Sequence, residues 1–429
     1  MLHRRKPGGR RHAPLGRDAA GVYSPAPIMT VESVSSLRSL RTQTLVGVVS
    51  LGHGATHWAV ATFFLLLPAM RRDLGLSYTQ AGLLAAGYYV GSMISNLPSG
   101  VVVDLTGRRI RYQLLSLLLG SAALASLGAT SSFAALWVSL VLLGASNMLW
   151  HPAAISYLSI HLPRNRGYSM AIHSLGAHLG DAAGPLVAGW LLLSMSWQRA
   201  AQINALMGVI CAAVIVLVCG RDDARSAPKR HERADYWKGL ALLLKSRAQW
   251  SFFLMSGFRT MTQAGLLTFL PLFLANELHM SPVLMGVAMM VLQLGGMVAT
   301  PAAGVLSDRI GRRPIVMAGM FSTTVIVVAM TFITNHAVYV ACISVLGFFL
   351  YAMRPVIQAW QVDRSPPEHL AAITSALFTV QAVLSALAPL VGGFLADRFG
   401  LISVFYFLAA SVLAGNVLCF LVPKTEHGD

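Results

Sequence analysis

Apolar runs of about 20 residues recur along the chain and are separated by short polar turns rich in Gly, Arg and Asp. A run of that length crosses a ~30 Å hydrocarbon core as a helix. The pattern predicts twelve helices. Six lie over residues 44–70, 79–103, 112–130, 133–160, 168–194 and 201–220. Six more lie over residues 249–275, 281–306, 315–334, 336–362, 371–396 and 401–422. The sixth and seventh are joined by a mixed-charge stretch, residues 221–248, in which 236–244 reads as a short helix lying on the membrane surface. The expected fold is therefore an all-α membrane protein: two six-helix bundles, 44–220 and 249–423, joined by a linker. A disordered basic tail, 1–43, and a short tail, 424–429, flank them. Met29 is a second candidate start, which would leave residues 1–28 without a role.

The two halves repeat. Gly100, Asp104, Gly107, Arg108 and Arg109 follow the second run, and Gly304, Asp308, Gly311, Arg312 and Arg313 follow the eighth, each 204 positions later. Pro185 and Gly189 recur as Pro389 and Gly393 at the same offset. His151-Pro152 corresponds to Arg354-Pro355 at an offset of 203. An offset held over most of two halves marks a duplicated unit. Within the repeat, Gly100 and Gly304 are expected to let helices approach closely, and Gly107 and Gly311 to permit a tight turn.

Composition agrees with the pattern. Of 429 residues 55% are hydrophobic and 11% charged, and the mean hydropathy is +0.64. The net charge of +16 does not signal nucleic acid, because it is confined to the tail and alternate loops. With both termini inside, the inner segments hold 26 of the 32 Lys and Arg and the outer loops hold 4. That asymmetry places the termini and linker in the cytoplasm of a plasma (inner) membrane protein. The four cysteines, Cys211, Cys219, Cys342 and Cys419, all fall in apolar runs and read as small core residues.

The twice-used G-x-x-x-D-[RK]-x-G-R-[RK] pattern, in a twelve-helix chain with a long central linker, resembles the major facilitator superfamily over about residues 44–422. The second copy, with Arg309, fits fully; the first has Leu105 in place of a basic residue, which weakens its ion pairing. The resemblance implies that both copies act as inner latches between bundles. Gly180, Gly184, Pro185 and Gly189 of the fifth helix look like a motif of the drug/proton antiporter branch, with Ala188 replacing one glycine. A plain helix-packing glycine ladder accounts for the same residues. His53, His151-Pro152 and the Gly-Pro of helix five are similar to fosmidomycin-resistance antiporters, but His57 stands where those tend to carry an acid.

Ionisable groups inside a membrane are costly and mark function. Asp181 is the one acid placed mid-helix, and His178, three residues earlier, shares its face, so these two are the expected proton carriers. Asp181 also suits a structural bond to a neighbouring helix, or a salt bridge to Arg259 or Arg354. His53 and His57 form an i,i+4 pair on helix one, His151 lies on helix four, and Arg259 and Arg354 occupy corresponding depths on helices seven and ten. The resemblance makes these four helices the lining of a central cavity. Arginine grips carboxylate or phosphonate with a fork of donors, so the five residues read as a site for an anionic or zwitterionic solute. Trp58, Phe63, Tyr88, Tyr89 and Trp150, with Asn147, Gln263, Gln293 and Gln358, are secondary candidates for lining the path. A histidine pair without a third ligand or carboxylate seldom binds metal, so no metal or cofactor is expected.

No metalloprotease, serine-hydrolase or ATP-binding signature occurs, so the chain is read as no enzyme. The expectation is a monomeric secondary transporter in a lipid bilayer, exporting a small organic solute in exchange for protons. Uptake of an organic anion with protons is the alternative, and a receptor reusing the fold is a third.

Overall fold

The computed structural model describes residues 39–163, 165–220, 246–365 and 370–422. The surface helix expected at 236–244, most of the linker and most of both tails lie outside these residues. Among the described residues are twelve α-helices. The first six are α1 (Leu40–Asp73), α2 (Tyr78–Thr106), α3 (Arg109–Leu127), α4 (Phe133–His161), α5 (Arg166–Leu191) and α6 (Trp197–Cys219). The second six are α7 (Arg247–Asn276), α8 (Pro282–Ile310), α9 (Arg312–Met330), α10 (His336–Arg364), α11 (Leu370–Phe399) and α12 (Leu401–Leu421). Eight of them are long and apolar enough to cross a membrane. The remaining four are α1, α2, α5 and α7. Three of these, α1, α5 and α7, carry His53 and His57, His173 and Asp181, and Arg259, polar side chains that lower their mean hydropathy.

Helix ends depart from expectation where a cap decides them. Helix α2 runs three residues past 103, to Thr106, and stops at Gly107, whose φ of 65° is left-handed. Helix α3 stops at Leu127 rather than 130, before Gly128. Helices α2, α6, α8 and α10 each begin behind a Ser or Asn whose side chain accepts from the first-turn backbone: Ser77, Ser196, Ser281 and Asn335. Three of the four cysteines are buried and Cys342 is partly so, all as free thiols.

The doubling is visible in three dimensions. A Cβ on Gly91 of α2 would sit 1.9 Å from the carbonyl O of Val141 on α4, so the two backbones touch. In the second half, a Cβ on Gly295 of α8 would sit 2.3 Å from that of Ser344 on α10. The bundles meet by the same rule. Gly82 on α2 abuts Pro389 on α11, and its counterpart Gly286 on α8 abuts Pro185 on α5. Gly393 abuts Tyr78, and Gly189 abuts Pro282. Each contact in one pair maps onto the other by the 204-residue offset. Two like bundles thus face each other across a pseudo-two-fold axis.

All four inter-bundle contacts lie at the end of the molecule away from the termini, here the far end. Asp397, near the end of α11, adds a clamp there: its two carboxylate oxygens accept from the backbone N–H groups of Tyr78 and Thr79, each at 2.8 Å. At the terminal end the picture reverses. Gly100 and Gly304 have no neighbouring atom within 4 Å of a Cβ position, so neither makes the close helix approach expected of it. The reason is that the bundles converge at the opposite end.

Candidate functional site

Three glycines set the site by letting α1 and α5 touch. A Cβ on Gly180 would fall 2.0 Å from the Gly54 carbonyl O, one on Gly176 would fall 2.1 Å from that of Ser50, and one on Gly54 would fall 2.8 Å from that of Gly176. Side chains flanking this seam are therefore pressed together. The His53 ring, 6% exposed, stacks on His173 of α5 with centroids 3.9 Å apart and planes 10° apart. Its Nδ1 lies 2.8 Å from the His173 carbonyl O. A carbonyl can only accept, so Nδ1 carries the proton and Nε2 holds a free lone pair. One turn on, His57 Nδ1 meets Asp181 Oδ2 at 3.0 Å. His151 of α4 completes the group, its ring 5.1 Å from His53 and 6.2 Å from His57.

The partner of Asp181 is thus His57, across the α1–α5 seam. It is neither His178 nor either arginine, as the sequence had left open. His178 turns instead toward the second bundle, with its ring 6.3 Å from that of Tyr351 on α10.

From the second bundle come two guanidinium groups. Arg259 on α7 is 2% exposed and donates through one terminal nitrogen to the Leu350 carbonyl O on α10, while its Nε has no partner. Arg354 on α10 is near enough to His151, His178 and Tyr88 of the first bundle for its charge to act on them. Among the described residues neither arginine has a carboxylate within ion-pair distance. Gln293 of α8 donates to the Tyr351 hydroxyl at 2.9 Å, beside this pair. All five residues assigned to solute binding, together with Asp181 and His178, accordingly lie on helices facing one inter-bundle region.

Some secondary candidates do not line it. Phe63 is fully buried against Phe64, and Trp150 is fully buried beside the His53–His173 stack. Trp58 is committed to Asn204 of α6 through its indole N–H at 2.8 Å. These aromatics fill the bundle core, which is where large rings bury the most area. Tyr88 and Tyr89, half-buried, pack on each other. A small void between α1, α3, α4 and α6, lined by Ser116, Ser146 and Asn204, holds only about 10 Å³, room for about one water.

Known proteins place this arrangement. The chain matches the Major Facilitator Superfamily over residues 49–299 and again over 252–429. The chain belongs to that superfamily. An uncharacterized MFS-type transporter of Enterobacter sp. (strain 638) is 24% identical over 371 residues, covering 86% of this chain and 93% of that protein. The uncharacterized MFS-type transporter YcaD of Salmonella dublin is 24% identical over 337 residues, covering 77% of this chain and 83% of its own. Among solved structures, a mutant of the nucleoside transporter NupG aligns with a TM-score of 0.77 at 12% identity, over 89% of this chain and 100% of that one. A bacterial homolog of the human lysosomal transporter Spinster, inward-facing and unoccupied, aligns with a TM-score of 0.70 at 15% identity, over 90% and 96%. At these identities the structures speak to the fold alone. Membership makes this chain a multi-pass membrane transporter of small solutes and not an enzyme.

The two copies of the superfamily's loop motif differ in this member. In the second, Arg312 pairs with Asp308 and with Asp363 of α10 at 3.2 Å, and donates to Ser307 at 2.6 Å. Arg313 donates to the Phe420 carbonyl O at 3.1 Å, and Arg309 is exposed. In the first copy Asp104 is exposed and has no ion pair among the described residues. Arg109 bonds instead to Ser156 of α4 at 3.0 Å and to the Gly107 carbonyl O. Arg108 adds a backbone bond to Thr106. The glycines Gly107 and Gly311 have φ of 65° and 95°, as a tight turn requires. On α5, Gly180 and Gly184 face α1, whereas Pro185 and Gly189 face α8.

Two features went unseen in the sequence. Tyr351 carries no signal beyond sharing a face with Arg354, three residues on. The Asp397 clamp joins positions 318 and 319 apart, and the sequence pattern gave no reason to pair them.

Proposed function

We propose that this transporter exports a small zwitterionic organic solute in exchange for protons, by rocking its bundles about the His–Asp–Arg region. The observation that carries the reading is the pair of guanidiniums, Arg259 and Arg354, without a carboxylate partner among the described residues, on helices across from the Asp181–His57 pair. Two uncompensated cations inside a membrane are costly until an anion joins them. The solute's acidic group supplies that anion. Its cationic group competes with the proton for Asp181, and competition for one group is what couples the two as exchange. The helix-five motif supports the same direction and the drug/proton antiporter branch.

A purely anionic solute gives the second reading. Protonating the Asp181–His57 pair takes it from one negative charge to none, which strengthens an anion's hold on Arg354. Proton and anion then travel together, as uptake. In both readings the protein is a monomer with twelve spans, lying in the inner membrane with both termini cytoplasmic. The closed far end is then the outer one, so the bundles as described face inward, and the two motif copies become latches when they swing back.

The test is proton flux in proteoliposomes under an imposed pH gradient, against phosphonates, amino acids, organic acids and cationic drugs. Exchange is read as acidification opposite to solute movement, and cotransport as the reverse. Arg354→Ala, Arg259→Ala and Asp181→Asn should each lower coupled flux at least ~10-fold, since a hydrogen bond to a charged group is worth ~1.5–3 kcal/mol. Full activity in all three ends the site assignment.

A further inference from the structure

We propose that His53, His57 and His151 form a binding site for one divalent transition-metal ion of the zinc class, with Asp181 and the His173 carbonyl as its outer supports. Zinc, cobalt, nickel and copper ions all favour imidazole nitrogen, whereas magnesium and calcium favour oxygen. One ring nitrogen from each of the three histidines can be chosen so that all lie within 4.8 Å of one another. Metal–nitrogen bonds of ~2.1 Å in a tetrahedral site need separations of ~3.4 Å. Rotations of the rings closing the set by about 1.4 Å or less would meet that need.

The groups behind the histidines are arranged as those of a metal site are. Metal-bound histidines give their other ring N–H to a carboxylate or a backbone carbonyl, which fixes the tautomer and aims the lone pair. His53 gives Nδ1–H to the His173 carbonyl O at 2.8 Å, and His57 gives Nδ1–H to Asp181 at 3.0 Å. Both orientations leave Nε2 as the free donor. Both Nε2 atoms are buried and without a hydrogen-bond partner among the described residues. Burying two unpartnered imidazole nitrogens on rings whose centroids are 4.8 Å apart costs free energy that nothing else among the described residues returns. His151, partly exposed, closes the triangle from α4. The i,i+4 pair alone lacked a third ligand and a carboxylate, and the α1–α5 seam supplies the carboxylate while α4 supplies the ligand.

Three nitrogens leave a fourth position open, as in sites that exchange their ligand. Arg354 of the second bundle is near enough to His151 for its charge to act there, so a bare dication is opposed and an anionic oxygen between ion and guanidinium satisfies both. On the solute reading given above, the fourth ligand is the solute's own acidic group; the three-histidine site itself does not depend on that reading.

The experiment is a Co²⁺ titration of the untagged full-length protein in detergent, followed by the visible absorption of four-coordinate Co²⁺ and by displacement with Zn²⁺. One ion per chain is expected. His151→Ala should weaken binding at least ~10-fold, and Asp181→Asn, which touches only the outer layer, by ~10–100-fold without abolishing it. The His151 side chain makes no hydrogen bond among the described residues, so its loss should leave folding intact, verified by an unchanged melting temperature without metal. No four-coordinate spectrum in the wild type, or equal affinity in His151→Ala, overturns the proposal. Binding is read without flux, so failure of transport leaves this result standing, and the reverse also holds.

Discussion

Replacing Asp397 by Asn should open the far end. The carboxylate accepts two backbone N–H bonds at 2.8 Å from the first residues of α2, on the other bundle. It also faces the positive end of that helix. A hydrogen bond to a charged acceptor is worth ~1.5–3 kcal/mol, and the site is exposed, which reduces the value toward that of a surface pair. Asn keeps one acceptor oxygen and loses the charge, so the clamp weakens by about 1–2 kcal/mol. At ~1.4 kcal/mol per tenfold, the ratio of far-end-open to far-end-closed molecules rises ~5–30-fold. The pseudo-symmetric interface offers no replacement, because the residue matching Asp397 is Leu193 and the helix it would cap begins with Pro282, which has no N–H. Spin labels at Ala129 and Phe332, both exposed at the far end and one on each bundle, would report the distribution of separations. A population shift to longer distances is expected. An unchanged distribution, or a shift to shorter distances, would refute the view that Asp397 holds the bundles together.

Other outcomes follow from the same geometry. Gly180→Val puts a side chain where a Cβ already lies 2.0 Å from the Gly54 carbonyl O, so it should cost about 3 kcal/mol or more and sharply reduce monodisperse yield. Gly304→Ala, inside α8 with open space around it, should raise the melting temperature slightly, because alanine is favoured over glycine in a helix interior by ~0.5–1 kcal/mol. Gly107→Ala forces alanine to a φ of 65° and should cost ~1–2 kcal/mol, read as a lower melting temperature. A double-mutant cycle on Arg312 and Asp363 should give a coupling of ~0.2–1 kcal/mol; the same cycle on Arg109 and Asp104 should give none.

The sequence alone determined the helices, their doubling and the depth of the ionisable residues. These follow from local rules: apolar length, the offset of 204, and the rarity of charge in apolar runs. It also placed Arg259, Arg354 and the histidines on helices that the structure brings face to face. The partner of Asp181 was beyond it. Sequence ranks neighbours on one helix, and so pointed to His178; the α1–α5 seam, set by how closely Gly54, Gly176 and Gly180 allow two backbones to approach, chose His57, 124 residues away. Which end of the molecule is closed was equally out of reach, because the duplicated interface carries like residues in both halves, and only the packed bundles show where Pro185, Pro389 and Asp397 meet their partners. Local spacing fixes what a helix presents; the distance between helices, decided by a few missing side chains, fixes what it meets.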